Sequence, residues 1–265
     1  MTAFGLENLV LDATITANSE ATGLDADNVA NDWGSAQYAW QTVAGVVTEA
    51  DGALIRIEPT TPAQTWRALG IFRSNLTSDA TVNFTLWNDN GGSPSVVWTD
   101  SVSGPPAGYG QVVVVLDADT TADFLQIWVD DEDNPDGFIN IPLIYAGPLW
   151  IPTWGEGLRS QFGRRNRTDT RQSIGGTEYV NHRWMQRWRA LGFDATKSDT
   201  EVWQYAMELD ALARLGGNVL AIPNITSADI NYEAVFGMMA PPDAMTFGLG
   251  TKTLVSWTAT VSERL

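Results

Sequence analysis

The sequence contains no cysteine, a single histidine and no long apolar run. Without cysteine, disulfide bonds, thiolate catalysis and cysteine-based zinc sites are excluded. No apolar stretch approaches the roughly 20 residues that span a bilayer, so we expect no membrane insertion. The first residues show no basic segment followed by an apolar one, which predicts that there is no secretory signal.

Basic residues are scarce in the first part of the chain. Residues 1–158 contain 21 acidic residues, three arginines and no lysine, whereas residues 159–265 carry 12 bases and 11 acids. Such an acidic surface repels polyanions and anionic membranes, so we expect no specific nucleic-acid binding. The imbalance indicates two units with different surroundings. Adaptation to salty water is an alternative interpretation of the acidity.

Recognisable catalytic motifs are also missing. No G-x-S-x-G elbow, phosphate-binding loop or H-E-x-x-H motif occurs in the sequence. His182 lies inside a strand pattern, which favours packing or an interface over a role as general base. No spacing singles out a carboxylate pair for glycoside hydrolysis. We therefore expect a protein that is not an enzyme, and a polysaccharide hydrolase is the last alternative.

Short strand patterns dominate residues 1–150. Segments such as ALIRIEP (53–59), TVNFTLWN (81–88), FLQIWVD (124–130) and FINIPLIYA (138–146), the last strand expected in this unit, are separated by turn-rich clusters such as NDNGGSPS. The apolar residues of TVNFTLWN alternate with polar ones, as in a half-buried strand. Strands of this length and spacing predict a β-sandwich, of the jelly-roll type, over residues 1–150.

Residues 151–265 predict a second, α+β unit, and the boundary falls in the Pro-, Gly- and Trp-rich segment 147–157. Strand patterns here surround one helix, expected at about residues 199–216. Ser198 and Glu201 form a capping-box pattern at its start, and Gly216-Gly217 supplies the stop.

The segment DDEDNPDG (130–137) places acidic residues next to a turn signal. An EF-hand register that begins at Glu132 requires glutamate at its twelfth position, where Leu143 stands, so an EF-hand is excluded. One interpretation is a tight turn at Pro135–Gly137 with solvated acids. The alternative is a structural Ca²⁺ site, for which the candidate ligands are Asp131, Asp133 and Asp136. No other cofactor is expected.

Eight of the fifteen basic residues are arginines between positions 159 and 189. They are interpreted as partners of acidic groups on a neighbouring subunit, because the rigid guanidinium fork suits desolvated ion pairs. A solvated face whose side-chain stems cover apolar surface is the alternative. The interface candidates are Arg164, Arg165, Arg167, Arg171, Arg183 and Arg187.

Twelve tryptophans raise the possibility of glycan binding, because aromatic faces pack on sugar rings. Tryptophan at a strand position is more often part of a core. Trp33 and Trp40 lie in the loop-like segment NDWGSAQYAW and are therefore the glycan-binding candidates.

Three stretches resemble structural proteins encoded among the tail genes of tailed phages. They are WRALGIFRSNLTSDATVNFTLWND (66–89), VVWTDSV (96–102) and FLQIWVDDEDNPDGFINIPLIYAGPLWIP (124–152). RQSIGGTEY, the Arg183/Arg187 pair and the closing VSERL are also similar, so the resemblance runs from about residue 66 to the end. Its most specific part is NPDG followed by a strand and A-G-P. The family usually has Gly-Arg where this chain has Pro142-Leu143, so no role of that arginine is carried over.

This resemblance implies a structural virion protein of a siphophage tail tip, similar to distal tail or baseplate proteins. The second unit would then be a tail-tube-like β-barrel that forms a trimeric or hexameric ring, and the first a galactose-binding-like jelly roll. The protein would be assembled in the host bacterial cytoplasm and would link the tail tube to hub and fibre proteins. A carbohydrate-binding receptor-recognition module of the tail is the first alternative, and a host-polysaccharide hydrolase is the second. The resemblance implies no catalytic residues.

Overall fold

The computed structural model of the protein describes residues 1–106, 110–153, 160–172, 178–197, 200–240, 246–247 and 254–264. Strands dominate these residues, which confirms the prediction of a mainly β protein. In chain order the strands are β1 (Ala3–Gly5), β2 (Ala13–Ala17), β3 (Trp40–Gln41), β4 (Leu54–Pro59), β5 (Gln64–Phe72), β6 (Thr81–Asn88), β7 (Ser95–Ser103), β8 (Val112–Ala122), β9 (Phe124–Asp130), β10 (Asn140–Ile141), β11 (Leu143–Gly147), β12 (Gln161–Gln172), β13 (Glu178–Lys197), β14 (Asn218–Ile222), β15 (Val235–Ala240), β16 (Thr246–Phe247) and β17 (Leu254–Glu263). The described α-helices are α1 (Thr200–Leu215) and α2 (Ile230–Glu233), and neither is long and apolar enough to cross a membrane.

Two antiparallel sheets form the predicted β-sandwich. The five-stranded sheet has the order β2-β4-β9-β6-β7, and its apolar face packs on the three-stranded sheet β11-β5-β8. In β6, Val82, Phe84 and Leu86 are fully buried, as their alternation with polar residues predicts. Leu69 and Ile71 of β5 belong to the same core. The sandwich prediction is therefore confirmed.

One predicted strand, FINIPLIYA (138–146), is divided in the structure. Pro142 stands between β10 and β11, and proline has no N–H to donate to a strand ladder. β10 pairs with β3, whereas β11 pairs with β5 in the three-stranded sheet. The chain thus changes strand partner at the proline, and the prediction of one continuous last strand is wrong.

The second unit is built on an antiparallel sheet with the order β1-β14-β15-β17-β13-β12, in which β16 also pairs with β17. A tube-like β-barrel was expected here from the family resemblance, and the structure corrects this expectation. A barrel closes only when its first and last strands pair. Within the described residues the pairing starts at β1 and ends at β12 without returning, so the sheet is open.

The first strand of the chain belongs to this second sheet. β1 pairs with β14, where Ala3 lies opposite Ile222, and the backbones of Phe4 and Trp150 bond to each other. The prediction that the sandwich takes all of residues 1–150 is therefore corrected for the first five residues. A three-residue strand has too few positions to show a period, and its partner lies more than 200 residues further along the chain.

The two units are packed together as layers. Every residue of β14 is buried, because Val219 and Ala221 face the core under α1 while Leu220 and Ile222 face the sandwich. On the sandwich side, the outer face of the three-stranded sheet supplies apolar residues such as Phe72 to the shared cluster. The five-stranded sheet, the three-stranded sheet, the second sheet and α1 thus form four successive layers.

Helix α1 confirms the predicted helix to within one residue at each end. Its packing residues, such as Leu209, are buried against the second sheet. At its end Gly216 has a φ of +71°, the Gly216 N–H donates to the Ala213 carbonyl oxygen, and the Gly217 N–H donates to that of Leu212. This is the predicted glycine stop, in the Schellman arrangement. Ser198, the predicted cap, lies outside the described residues.

Candidate interaction surfaces

The hairpin of β12 and β13 extends beyond the rest of the second sheet. β13 pairs with β17 only from Trp188 onward, while its pairing with β12 continues to the other end of the strand. Within the described residues, the segments 164–172 and 178–187 pair only with each other, and we call this two-stranded segment the ribbon. At about 3.3 Å per residue, the ribbon is about 30 Å long. Among the described residues, no strand pairs with the outer side of β12.

Arginines dominate the ribbon, which contains six of them and only two acidic residues. Arg164, Arg165 and Arg171 are exposed on β12. The side chains of Arg167 and Arg183 lie outside the described part of the structure. An interface role for these five arginines stays a prediction, and the exposure of the three described ones is compatible with it.

Arg187, the sixth candidate, is buried and bound within the chain. Its backbone N–H and its Nε donate to the Glu263 carboxylate at 2.9 and 2.6 Å. Its terminal nitrogens contact Glu263, Gln111 Oε1 and the carbonyl oxygen of Tyr232. Because Gln111 lies just before β8 of the sandwich, Arg187 joins the sandwich to the second sheet. The expectation that Arg187 faces a neighbouring subunit is corrected accordingly.

A groove opens beside the base of the ribbon, next to α2. Its cavity volume is about 420 Å³, and we call it the basic groove; its lining residues are Phe162, Gly163, Arg164, Arg187, Trp188, Arg189, Tyr232, Glu233 and Val235. The Phe162 side chain is 81% exposed, and the Arg189 guanidinium carbon lies 5.9 Å from its ring centroid. The groove combines apolar surface with guanidinium groups, which suits a partner that carries carboxylates.

Trp33 and Tyr38 form an exposed aromatic pair in the loop that precedes β3. Their side chains are 60% and 51% exposed, and their ring centroids lie 5.3 Å apart at an interplanar angle of 87°. Two perpendicular aromatic faces offer apolar surface of the kind that packs on a sugar ring. Sequence reasoning identified Trp33 but missed Tyr38, because loop residues show no period from which their exposure could be inferred.

Hydrogen bonds fix this aromatic loop at several points. Arg73 Nη1 donates to the Gly34 carbonyl oxygen at 2.7 Å, and Asn140 Nδ2 donates to another loop carbonyl at 3.3 Å. At the second sheet, Asn218 donates through its N–H to Asp32 Oδ2 and through Nδ2 to the Asp32 carbonyl oxygen. The aromatic pair is therefore held before any ligand arrives, which lowers the entropic cost of binding.

Two charged groups that hold the loop are in part withdrawn from water: Asp32 is half-buried, and the Arg73 guanidinium is bound to the Gly34 carbonyl oxygen although the residue as a whole is exposed. Burial raises the pKa of the Asp32 carboxyl, although the hydrogen bond from Asn218 and the charge of Arg264 act in the opposite direction. Burial likewise lowers the pKa of the Arg73 guanidinium, and the charge of Glu263 opposes this shift. Both groups therefore serve to position the loop at the junction of the two units.

Trp40, the second glycan-binding candidate, is a core residue. Its side chain is fully buried, and its Nε1 donates to the Ser19 carbonyl oxygen at 2.8 Å. A ring with no exposed face cannot stack on a sugar, so this candidate is corrected. Trp33 and Trp40 stand seven residues apart in the same loop-like segment, but only Trp40 lies on a paired strand, β3, and packs into the sandwich core.

The acidic segment forms the predicted turn. The Gly137 N–H donates to the Asn134 carbonyl oxygen at 3.0 Å, with Pro135 at the second turn position, and the Asp136 N–H donates to Asn134 Oδ1. Asp131 is buried and accepts hydrogen bonds from the Thr77 N–H and from Asn134 Nδ2, at 2.9 and 2.8 Å.

The three metal candidates are not gathered around one point. Asp131 binds protein donors, Asp133 is exposed, and Asp136 Oδ2 accepts from Asn75 Nδ2 at 3.0 Å. Among the described residues, no group of three or more His, Asp or Glu side chains is placed to hold a metal ion. The described carboxylates of this segment instead take part in the hydrogen bonds of a turn or are exposed to solvent.

Comparison with known proteins identifies no family for this chain. No family model matches the sequence, and no curated protein matches it. Solved structures similar to it include the family 32 carbohydrate-binding module of Clostridium perfringens NanJ in complex with galactose, at 13% identity and a TM-score of 0.40, over 57% of this chain and 100% of that one. A chitosan-binding module of a Paenibacillus sp. IK-5 chitosanase/glucanase is 18% identical with a TM-score of 0.41, over 54% of this chain and 99% of that one.

A third similar structure is the family 32 carbohydrate-binding module of Streptococcus pneumoniae EndoD. It is 18% identical, with a TM-score of 0.40, over 53% of this chain and 98% of that one. Each of these modules matches about half of the chain. Likeness at this level of identity and TM-score assigns neither a family nor a ligand to the protein.

Proposed function

We propose that the protein is a non-catalytic structural subunit of a bacteriophage tail tip, which assembles with copies of itself through the ribbon. The observation that carries this proposal is the long outer edge of β12, whose backbone has no strand partner among the described residues. The phage assignment itself rests on the sequence resemblance. The solved structures named above are carbohydrate-binding modules and do not support it.

In a stable protein, a strand edge of this length is shielded from pairing with other chains. An open strand edge pairs readily with other strands, and natural proteins shield such edges with charge or bury them in an assembly. The exposed arginines of the ribbon discourage pairing with random strands. An acidic partner surface would neutralise these arginines and bury the edge in an assembly. Copies that repeat one such contact around an axis close into a ring, as a tail tip requires.

The proposal is tested on purified virions of the phage that encodes the protein. Immunogold labelling against the chain should mark one end of the tail, and mass spectrometry should find a few copies per virion. Cryo-electron microscopy of that end should show the chain in a threefold or sixfold ring. Absence from virions, or labelling along the whole tail shaft, would refute the tail-tip assignment.

A second candidate function is carbohydrate binding at the Trp33/Tyr38 pair. The specific observation in its favour is that two exposed aromatic side chains stand in perpendicular orientation on a loop fixed by hydrogen bonds. Contiguous apolar surface that is exposed on a protein often marks a binding site. In a tail protein, such a site would serve recognition of a host surface glycan.

Glycan binding is tested with galactose- and chitosan-derived oligosaccharides as first probes, since one of the similar modules was solved in complex with galactose and another is a chitosan-binding module. Titration calorimetry and a glycan array should detect binding to the native protein. Trp33→Ala should abolish it, and Tyr38→Ala should weaken it about tenfold. Tyr232→Ala, which removes an aromatic ring of similar exposure from the second unit, is the control. Equal binding by all variants would exclude this site.

A further inference from the structure

We infer that the outer face of the five-stranded sheet binds a neutral, linear glycan chain. This surface is distinct from the Trp33/Tyr38 pair, and it would bind sugar whether or not the protein belongs to a tail tip. We call it the outer sheet face, and it consists of the side chains that alternate with the core residues of β2, β4, β9, β6 and β7. In β9, for example, Leu125 and Ile127 lie in the sandwich core, so the side chains of Gln126 and Trp128 point to the outer face.

Strand register places the residues of the outer sheet face in rows that cross the sheet. The central row crosses all five strands, and its members are Thr16, Arg56, Gln126, Thr85 and Thr99. On one side of this row Trp128 lies opposite Asn83, and on the other side Trp87 lies opposite Phe124. Because Phe124 and Trp128 are four positions apart on β9, the two tryptophans are separated by about 13 Å along the strand direction. Two indole rings thus flank a row of mainly polar side chains.

Both tryptophans are partly exposed, and Trp87 is held by its neighbours. The Trp87 ring stacks on that of Phe124, with centroids 6.1 Å apart and an interplanar angle of 7°. Phe124 is itself buried, and the Arg56 guanidinium carbon lies 3.7 Å from its ring centroid. Rings fixed on a sheet lose little freedom when a ligand arrives. They offer the flat apolar surface on which a sugar ring packs.

Hydrogen-bonding groups lie between and beside the two rings. The side-chain amides of Gln126 and Asn83 and the Nε1 of Trp128 form no hydrogen bond with other described residues. The hydroxyls of Thr85 and Thr99 bond to each other at 3.1 Å, and each oxygen has a further lone pair for a ligand. An apolar protein surface would bury these groups at a cost. Sugar hydroxyls both donate and accept, so a glycan chain satisfies them.

Charge distinguishes the outer sheet face from the rest of the sandwich. Residues 1–158 carry 21 acidic residues, but the strand positions of this face carry only two, Glu58 and Asp130. Glu58 binds Arg56 at 2.9 Å, and the Asp130 carboxylate accepts from the Glu49 N–H at 2.6 Å. The face is thus almost neutral within a strongly acidic unit. A neutral glycan meets no repulsion there, whereas the surrounding carboxylates repel an acidic polysaccharide.

Oligosaccharide length tests whether both rings are used. A glycan array should include linear hexasaccharides of glucose, mannose and xylose, with a galacturonate hexasaccharide as the acidic counterpart. The native protein should bind a neutral chain and not the acidic one. A disaccharide is too short to contact both tryptophans, so calorimetry should give at least tenfold higher affinity for the bound hexasaccharide than for its disaccharide. Equal affinity for the two lengths would overturn the extended site.

Single substitutions then locate the site. Trp128→Ala should lower the affinity for that hexasaccharide at least tenfold, and Gln126→Ala, a polar change at a partly exposed position, about threefold. Trp128→Phe keeps an aromatic ring and should stay within threefold of the native protein. Trp33→Ala is the matched control, because it removes an exposed indole from another surface, and it should also stay within threefold. Circular dichroism melting shows that each variant is folded.

The contrary outcomes separate this site from the other proposals. Loss of binding in Trp33→Ala but not in Trp128→Ala would assign glycan recognition to the aromatic loop and overturn the outer-face site. If Trp128→Ala changes only the sedimentation of the protein, the face contacts a second copy and not a sugar. Binding of no neutral chain by the native protein would overturn the outer-face site and leave the tail-tip assignment untouched. Absence of the protein from virions would refute the tail-tip assignment alone.

Discussion

The sandwich and the ribbon are both antiparallel β structure, but they handle their side chains in opposite ways. All five residues of β11 and most of β5 are buried, whereas nearly every described residue of β12 is exposed or half-buried. The sandwich closes over a core of its own. The ribbon has two strands, and in the part of the chain that the structure describes no third strand pairs with them; two strands alone are marginally stable in water. The proposed assembly would cover its arginine-rich surface.

The sandwich and the ribbon also differ in the interactions that stabilise them. Apolar burial holds the sandwich, in which side chains such as Trp40 and Trp66 are fully enclosed. Polar contacts at one end hold the ribbon, where Arg187 is bound to Glu263 and Gln111. Changes in the sandwich core should therefore alter folding, and changes along the ribbon should alter assembly.

The largest effect should come from Trp40→Ala. Removal of a fully buried indole leaves a cavity and should cost about 3–5 kcal/mol in the free energy of unfolding. Trp33→Ala is the matched control, and at an exposed loop position it should change stability by less than about 0.5 kcal/mol. Urea unfolding followed by tryptophan fluorescence measures both. Equal destabilisation by the two changes would mean that the aromatic loop belongs to the core.

The base of the ribbon gives the next largest effect. Arg187→Met leaves the Glu263 carboxylate and Gln111 without their partner in a buried place, and should cost about 3 kcal/mol. Arg171→Met, at an exposed ribbon position, should leave the unfolding free energy unchanged within about 0.5 kcal/mol. A small loss of unfolding free energy in Arg187→Met would show that apolar packing alone joins the two units. The base of the ribbon would then be stabilised in the same way as the sandwich.

The sequence predicted the apolar strands and the helix more accurately than the polar strand β12 and the pairing of distant strands. FLQIWVD matches β9 at both ends, and the predicted helix differs from α1 by one residue at each end, because period and stop signals are local. β12 was missed because its polar side chains give no apolar alternation. β1 and the openness of the second sheet depend on pairing between residues far apart in sequence, which a local pattern does not record.

For the candidate surfaces, sequence identified residue types better than their placement. The arginine cluster, Trp33 and the Asn134–Gly137 turn were identified, since composition and turn chemistry mark them. The burial of Trp40 and Arg187 could not be inferred, because each depends on a strand that comes from elsewhere in the chain. Gln111 stands in a sequence without any distinguishing motif, and the resemblance of VSERL (261–265) gave no indication that its Glu263 binds Arg187.

Within the sandwich, Asp131→Ala should have an intermediate effect. The change removes the acceptor of hydrogen bonds from the Thr77 backbone and from Asn134, and should cost about 2 kcal/mol. Asp133→Ala, in the same turn but exposed, should cost less than about 0.5 kcal/mol. Thermal melts with and without Ca²⁺ complete the test. A rise in the melting temperature with Ca²⁺, lost in both variants, would restore the ion site as the better interpretation.

The smallest effect concerns Asp32, where the aromatic loop meets the second sheet. Because burial raises the pKa of this carboxyl above its ordinary value of 3.8, the folded protein holds the proton more tightly than the unfolded chain. Stability should therefore fall as the pH rises from about 4 through the folded-state pKa, and the full penalty should be present near neutrality. Asp32→Asn keeps an oxygen that accepts from the Asn218 N–H and carries no charge.

We thus expect Asp32→Asn to melt slightly higher than the native protein near neutral pH, and this difference to vanish in acid, where Asp32 is protonated. Melting temperatures of both proteins between about pH 4 and pH 8 measure the effect. Asp133→Asn, at an exposed position, should show no pH-dependent difference. A lower melting temperature for Asp32→Asn at neutral pH would mean that attraction to Arg264 outweighs burial. The loop would then be held by charge, as the base of the ribbon is, and not by burial as in the sandwich.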